Sequence, residues 1–109
     1  MIVEVITGTA EVPEVDVADV DDLTRLHVAV GAVTDKEADQ ALRAAGLGRL
    51  DDGTAWLDVA ALRAAAEPRA TVDGWAGRWE QMVESARGQG WSGDDGTTLR
   101  AHVEPAASA

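Results

Sequence analysis

Several residue types are missing from this sequence of 109 residues, and each absence removes a class of structure or site. There is no cysteine, which excludes disulfides, thiolate metal ligands and a cysteine nucleophile. Phenylalanine and tyrosine are also absent, so four tryptophans are the only large aromatic side chains. The chain has no long apolar run, and its start, Met1 to Glu4, has no basic residue, so the sequence predicts neither a signal peptide nor a membrane span. We therefore expect a cytoplasmic protein.

Basic residues are scarce. Nine face twenty acidic ones, which gives a formal net charge of −11. Nucleic acids and anionic membranes carry dense negative charge and repel such a chain unless its bases share one face. The arginines are instead scattered, at Arg25, Arg43, Arg49, Arg63, Arg69, Arg78, Arg87 and Arg100. The charge therefore predicts no nucleic acid and no membrane among the partners.

The acidic residues are concentrated near the start of the chain. Residues 1–22 contain seven acids and no base, so they carry −7 of the net charge of −11. The segment Glu11–Asp22 mixes these acids with valines and contains Pro13, which suits an extended edge strand or a loop. Its charge makes this acidic segment a candidate surface for a protein partner.

Local patterns predict alternating strands and helices. Ile2–Ile6 is a β-branched run typical of a strand. Leu23–Val30 fits a strand better than a helix, although its apolar spacing leaves both open. The spacing of Thr34 and Glu37 predicts a capping box at the start of a helix that Gly46 ends. A hairpin is expected across Asp52-Gly53.

The second half of the chain predicts two helices and a final strand. Asp58 caps a short helix that runs to Ala66, and a longer helix opens at Asp73 or Gly74 and ends at Gly88. Leu99, Ala101 and Val103 alternate with polar residues, as in a half-buried strand. With a hydrophobic content of 46%, we predict one small α+β domain over residues 1–104 and a flexible tail over 105–109. Its short, mostly antiparallel sheet has about four to five strands, packed by two to three helices.

The four residues Asp-Asp-Gly-Thr occur twice, at 51–54 and 94–97. Aspartate bonds its own local backbone and glycine accepts a positive φ, so ordinary turn chemistry is favoured. A duplication of helix, turn and strand stays an alternative. A calcium loop is excluded because its ligands alternate and include a distant glutamate. The run from Gly88 to Gly93 matches a dinucleotide motif, but it leaves a helix where the motif must leave a strand, so no cofactor is predicted.

Few residues offer catalytic or metal chemistry. The histidines are His27 and His102, which are expected to be neighbours if both lie on strands of one sheet. A site of two histidines and one carboxylate would use Glu104 or Glu4, but no supporting histidine spacing occurs, and we predict no metal. No serine lies in a nucleophile elbow, so no catalytic residue is assigned and an enzyme is disfavoured.

The tryptophans are the best remaining candidates for a binding site. Trp75 and Trp79 share one face of the predicted long helix, which suits either the core or a binding surface. If they bind, Arg78 lies at the rim of the site, and Trp91, His27 and His102 are the other candidates. We expect a domain that acts by binding a protein partner or a second copy of itself, as an inhibitor or immunity-type module does. The alternative is a small-molecule-binding protein or minor enzyme with a tryptophan-lined pocket.

Overall fold

The computed structural model describes residues 1–7, 13–31, 33–93 and 96–105. Within these ranges the chain forms a small α+β domain with three α-helices and one curled sheet of six strands. The predicted α+β class is confirmed. The predicted four to five strands and the mostly antiparallel arrangement are wrong in detail, because the sheet has six strands and is mixed. The domain boundaries stay a prediction, and residues 106–109 of the predicted tail lie outside the described ranges.

The sheet is mixed because β3 lies between two strands that run in its own direction. The order across the sheet is β2-β1-β3-β6-β5-β4. The β1–β3 and β3–β6 pairs are parallel, and the other pairs are antiparallel. The strands are β1 (Ile2–Thr7), β2 (Pro13–Ala18), β3 (His27–Val30), β4 (Gly48–Asp51), β5 (Thr54–Asp58) and β6 (Thr98–Pro105).

Two segments that the sequence left open form strands. Part of the acidic segment becomes β2, whose first residue is Pro13. β2 lies at the edge of the sheet, and Pro13 is its first residue. Both are positions at which a strand tolerates a proline, which cannot donate a backbone hydrogen bond. The later segment Leu23–Val30 contains β3 from His27 onward, so the strand interpretation holds for its second half.

The helices begin and end where local signals predict. They are α1 (Asp35–Ala44), α2 (Val59–Ala66) and α3 (Trp75–Gly88), with a 3-10 turn at Glu67–Arg69. The capping box is confirmed, because the Glu37 amide donates to Thr34 Oγ1 over 3.1 Å and the Thr34 amide donates to Glu37 Oε1 over 2.9 Å. At the other end Gly46 has φ of 73°, and the Leu47 amide donates to the Leu42 carbonyl. This is the Schellman closure of a helix.

The first Asp-Asp-Gly-Thr copy is the predicted hairpin turn. Asp52 and Gly53 both have positive φ, 49° and 78°, as a two-residue type I′ turn between β4 and β5 requires. In the second copy, Asp94 and Asp95 lie outside the described residues. Gly96 donates to the Gly93 carbonyl, close to the point where a bridge pairs Ser92 with β6. The suggested duplication is not tested by these turns.

The two faces of the sheet differ in what covers them. The inner face carries most of the buried apolar side chains of the strands, including Val3, Val28, Leu57 and Leu99. Helix α1 packs against β4 and β2, the two edges of the sheet, as well as β1, so the sheet curls around the core. Ala29 is buried but does not belong to the core cluster. It lies on the opposite face, which we call the outer face.

Candidate functional site

Trp75 and Trp79 belong to the core. They are 4% and 2% exposed, and their rings stack with centroids 5.4 Å apart and an interplanar angle of 16°. The indole N–H of Trp75 donates to the Val20 carbonyl over 2.7 Å, which satisfies the polar group that burial would otherwise leave unpaired. The structure thus brings these two residues together. Both side chains are almost wholly buried, and a binding role for them stays a prediction.

Arg78 lies on the exposed side of α3, away from this stacked pair. It borders a shallow depression of about 750 Å³ that is also lined by Asp21, Asp22 and Met82. Arg78 therefore lies near two acids of its own chain. A role for Arg78 at the rim of a tryptophan site stays a prediction.

Much of the acidic segment is used inside the fold. Asp21 accepts from the Thr71 hydroxyl over 2.6 Å and from the Thr71 and Val72 amides over 2.9 and 3.3 Å. These bonds hold the chain before β3 against the segment that leads into α3. The Thr71 hydroxyl bond, followed by its amide bond, lowers the pKa of Asp21. Asp21 is therefore a structural carboxylate.

Two further acids of this segment also have partners within the chain. Asp22 Oδ1 accepts from the Thr24 hydroxyl over 2.6 Å and from the Thr24 amide over 3.1 Å. The hydroxyl bond is the larger cause that lowers the pKa of Asp22. Asp16 pairs with Arg69 over 3.2 Å. Glu11, where the acidic segment begins, lies outside the described residues.

The two histidines meet on the outer face, as the sequence predicts for neighbouring strands. His27 of β3 and His102 of β6 are register partners, and Glu104 lies between them. The Nε2 atoms of His27 and His102 are each 3.6 Å from one oxygen of the Glu104 carboxylate. His27 Nδ1 is also 3.1 Å from the Arg25 carbonyl. In the part of the chain that the structure describes, no group of three potential ligands is arranged to hold a metal ion.

Exposed and half-buried acids cluster on the outer face of the sheet. Glu4 of β1 lies directly opposite Asp16 of β2 in the antiparallel register. On its other side Glu4 is the register partner of Ala29, which in turn pairs with Glu104. Glu14 lies on the same face of β2, two residues before Asp16. We call Glu4, Glu14, Asp16 and Glu104 the acidic patch.

The acidic patch carries uncompensated charge. Asp16 forms an ion pair with Arg69, and the Glu104 carboxylate lies 3.6 Å from the Nε2 atom of each histidine. Among the described residues, Glu4 and Glu14 have no basic group within salt-bridge distance. Carboxylates directly opposite each other on paired strands, as Glu4 and Asp16 are, destabilise a sheet. We therefore expect the opposed pair of Glu4 and Asp16 to cost the fold some stability, of which the ion pair between Asp16 and Arg69 offsets a part.

A cavity opens along the side of β6 that is paired by the segment at 91–93 and by β3. The first part of β6 is bonded by the segment after α3, where the Arg100 amide donates to the Trp91 carbonyl over 2.6 Å. β3 pairs with β6 only from His102 onward. The gap between them leads into a cavity of about 730 Å³, which we call the β6 cavity. Leu23, Leu26, Met82 and Leu99 are among the apolar residues that line it.

The β6 cavity contains two of the predicted site residues, Trp91 and His102. Sequence reasoning did not select Arg25, Arg100 or the loop before β3, which also line it. The alternation of Arg100 and His102 with buried residues showed that both are solvent-facing. What the sequence could not show is that Trp91 and the loop at 23–26 come together on either side of them.

No protein-family model, no curated protein and no solved structure matches the chain. None of the described helices is both long and apolar enough to cross a membrane. The acidic patch and the β6 cavity are therefore the two features whose geometry bears on function.

Proposed function

We propose that this chain is a non-catalytic binding module whose acidic patch docks on the basic surface of a protein partner, as an inhibitor or immunity-type protein does. The single observation that carries the proposal is the pairing of Glu4 with Asp16 across two strands, beside Glu14, which has no ion-pair partner among the described residues. A fold retains charges that weaken it mainly where they serve another purpose.

Charge complementarity explains why the partner should be a basic protein surface. The β-sheet holds these carboxylates on a rigid framework, so little side-chain ordering beyond the carboxylate arms is lost on binding. Cationic groups of a partner would remove the repulsion between Glu4 and Asp16. The net charge of −11 would also accelerate encounter with a basic protein.

The other acids do not fit this role equally well. Asp21 and Asp22 are already hydrogen-bonded within the chain, and drawing them away would cost those bonds. We therefore assign the docking surface to the outer face and not to the whole of the acidic segment. Glu4, which lies outside that segment, is its central residue.

The test compares two variants that remove the same charge. Glu4→Gln/Glu14→Gln removes the two carboxylates of the acidic patch that have no described basic partner, and Asp73→Asn/Glu84→Gln removes two exposed acids near and on α3. Proteins that the wild-type chain captures from its host are identified by mass spectrometry, purified, and titrated against all three chains by calorimetry at several salt concentrations.

A purified partner should bind the patch variant about 10-fold or more weakly than the wild type, and the control variant nearly as well as the wild type. Affinity for the wild type should also fall as salt rises. Equal binding to both variants would show that net charge, and not the acidic patch, matters. Binding that salt does not weaken would rule out the electrostatic basis of the proposal.

A further inference from the structure

The β6 cavity differs from the rest of this acidic protein in the charge of its walls. Its described lining residues include no aspartate or glutamate, although the chain has twenty acids. The ionisable side chains among these lining residues are Arg25, Arg100 and His102. The cavity thus combines a basic side with the apolar residues Leu23, Leu26 and Met82.

Arg100 is the cationic group with the fewest competitors. The pKa of Asp22 is lowered chiefly by the Thr24 hydroxyl bond and least by Arg25, so Arg25 has an acid in its vicinity, and Glu104 lies 3.6 Å from His102. For Arg100, no acid among the described residues lies within salt-bridge distance. Its guanidinium can therefore offer a two-pronged donor pair to a carboxylate or phosphate without first breaking an ion pair to any acid of the described ranges.

Trp91 supplies an exposed aromatic surface at the same place. It is 41% exposed, one of the two large apolar side chains that the described part of the chain leaves this open. Its backbone is fixed at both polar atoms, since its amide donates to the Ala86 carbonyl over 2.9 Å and its carbonyl accepts from Arg100. A fixed backbone with an exposed ring is suited to stacking on a flat ligand.

We propose that the β6 cavity binds a small aromatic anion, whose ring packs against Trp91 and the apolar lining and whose carboxylate or phosphate pairs with Arg100. The volume of about 730 Å³ lies within the roughly 300–1,000 Å³ typical of small-molecule sites. This site is separate in chemistry from the acidic patch, and it does not depend on the proposed protein partner.

The net negative charge of the chain does not prevent anion binding in the cavity. At physiological salt, exposed charges farther away than about 8 Å are largely screened. A guanidinium in direct contact with a carboxylate is affected much less, because the contact excludes water and ions between the two groups. Remote acids should therefore slow the approach of an anion more than they weaken the bound state.

The experiment uses three probes that share one ring system. They are 2-naphthoate, the neutral 2-naphthylmethanol and the cationic 2-naphthylmethylammonium. Each is titrated into the ¹⁵N-labelled full chain, and amide shifts are followed together with the indole N–H of Trp91. We expect shifts concentrated at residues 23–26, 91 and 100–103, and naphthoate binding about 10-fold tighter than the alcohol.

Arg100→Gln and Arg78→Gln form the matched pair of variants, since both remove one exposed guanidinium. Arg100→Gln should abolish the preference for naphthoate over the alcohol, whereas Arg78→Gln should preserve it. A second cavity variant, Arg25→Gln, should reduce the preference less, because Asp22 already offsets its charge. Trp91→Ala should weaken all three probes by a similar factor.

Three results would overturn the inference. The first is the absence of localised shifts with millimolar naphthoate, which would show that no site exists. The second is equal affinity for the anionic and neutral probes in the wild type, which would show an apolar cavity without anion recognition. The third is an equal effect of Arg78→Gln and Arg100→Gln, which would show a general field effect and not contact with Arg100.

Discussion

The acidic patch and the β6 cavity share one strand but have opposite charge. Glu104, near the end of β6, belongs to the acidic patch, while Arg100 and His102 of the same strand line the cavity. All three side chains are exposed, and they alternate along β6 with Leu99, Ala101 and Val103, which are buried or half-buried. The difference arises from what lies across from each residue, since Ala29 and Glu4 continue the row from Glu104. Arg100 instead pairs with Trp56 of β5.

This comparison shows that the acids of the chain fall into two groups with different physical roles. One group, which includes Asp21 and Asp39, bonds backbone amides of distant segments and holds the fold together. The other, represented by Glu4 and Glu14, has no such bond among the described residues. Net charge alone does not separate these groups. The following predictions test the separation, together with the boundary between core and cavity.

The largest effect should distinguish the core tryptophans from the cavity tryptophan. Trp79→Ala should lower the free energy of unfolding by about 3–5 kcal/mol, because it removes a buried, stacked ring. Trp91→Ala should cost much less, about 1 kcal/mol, since 41% of this side chain is already exposed. Urea denaturation followed by circular dichroism measures both. Similar losses for the two variants would mean that Trp91 is part of the core and that the cavity is not a free surface.

The next effect concerns a structural carboxylate. Asp39 of α1 accepts from the Leu50 amide over 2.9 Å and from Arg43 Nε over 3.0 Å. Asp39→Ala should cost about 1–2 kcal/mol by removing the partner of a strand amide. Glu84→Ala, at an exposed position of α3, is the control and should change stability by less than about 0.5 kcal/mol. Both are measured by chemical denaturation at neutral pH.

The same carboxylate predicts how stability responds to acid. The Leu50 amide bond, assisted by Arg43, lowers the pKa of Asp39 below its ordinary value. A carboxyl with a lowered folded-state pKa contributes fully above its unfolded pKa of about 3.9 and loses that contribution as pH falls through the folded pKa. Asp39→Ala should therefore lose less stability than the wild type between pH 5 and the acid limit of folding. Parallel stability curves for the two chains would contradict this assignment.

A smaller effect is expected at the start of α1. Thr34→Ala should cost about 1 kcal/mol, because it removes the hydroxyl that caps the Glu37 amide. Thr34→Ser retains the hydroxyl and should keep most of the wild-type stability. Differential scanning calorimetry at one protein concentration can compare all three chains. If alanine is as stable as serine, the capping box has no energetic importance.

The smallest effect should appear in the acidic patch itself. Glu4→Gln removes the repulsion of Asp16 across the β1–β2 pair, so stability should rise by a few tenths of a kcal/mol (about 0.2–0.5). The rise should shrink as salt is added, because salt already screens exposed like charges. A clear loss of stability on denaturation would place Glu4 among the structural acids and would remove the main support for the docking surface.

Local elements were predictable because their causes are local. The capping box of Thr34 and Glu37 involves four successive residues, and the turn at Asp52-Gly53 depends on two residues that tolerate positive φ. The alternation of Leu99, Ala101 and Val103 with exposed residues likewise reports one strand. The helix bounds at Asp58 and Gly88 followed from the same kind of signal.

The sheet order and the sites were not predictable in the same way. The parallel pairing of β3 with β1 and β6 joins segments far apart in sequence, and no local residue specifies such a partner. The acidic, proline-containing segment became β2 because β1 offered it an antiparallel ladder. This is why the predicted strand count was too low. The proximity of His27 and His102 was predicted only on the condition that their strands were neighbours.

The sequence by itself determined the α+β class, the helices and their caps, the hairpin turn and the excess of negative charge, because short-range backbone bonds, side-chain periodicity and composition specify each of them. Only the tertiary structure decided that Trp75 and Trp79 stack in the core while Trp91 faces solvent. It also decided which carboxylates hold the fold and which have no basic partner in the part of the chain that the structure describes. These outcomes depend on contacts between strands and helices that are distant in the chain, and such contacts form only when the sheet closes around its core.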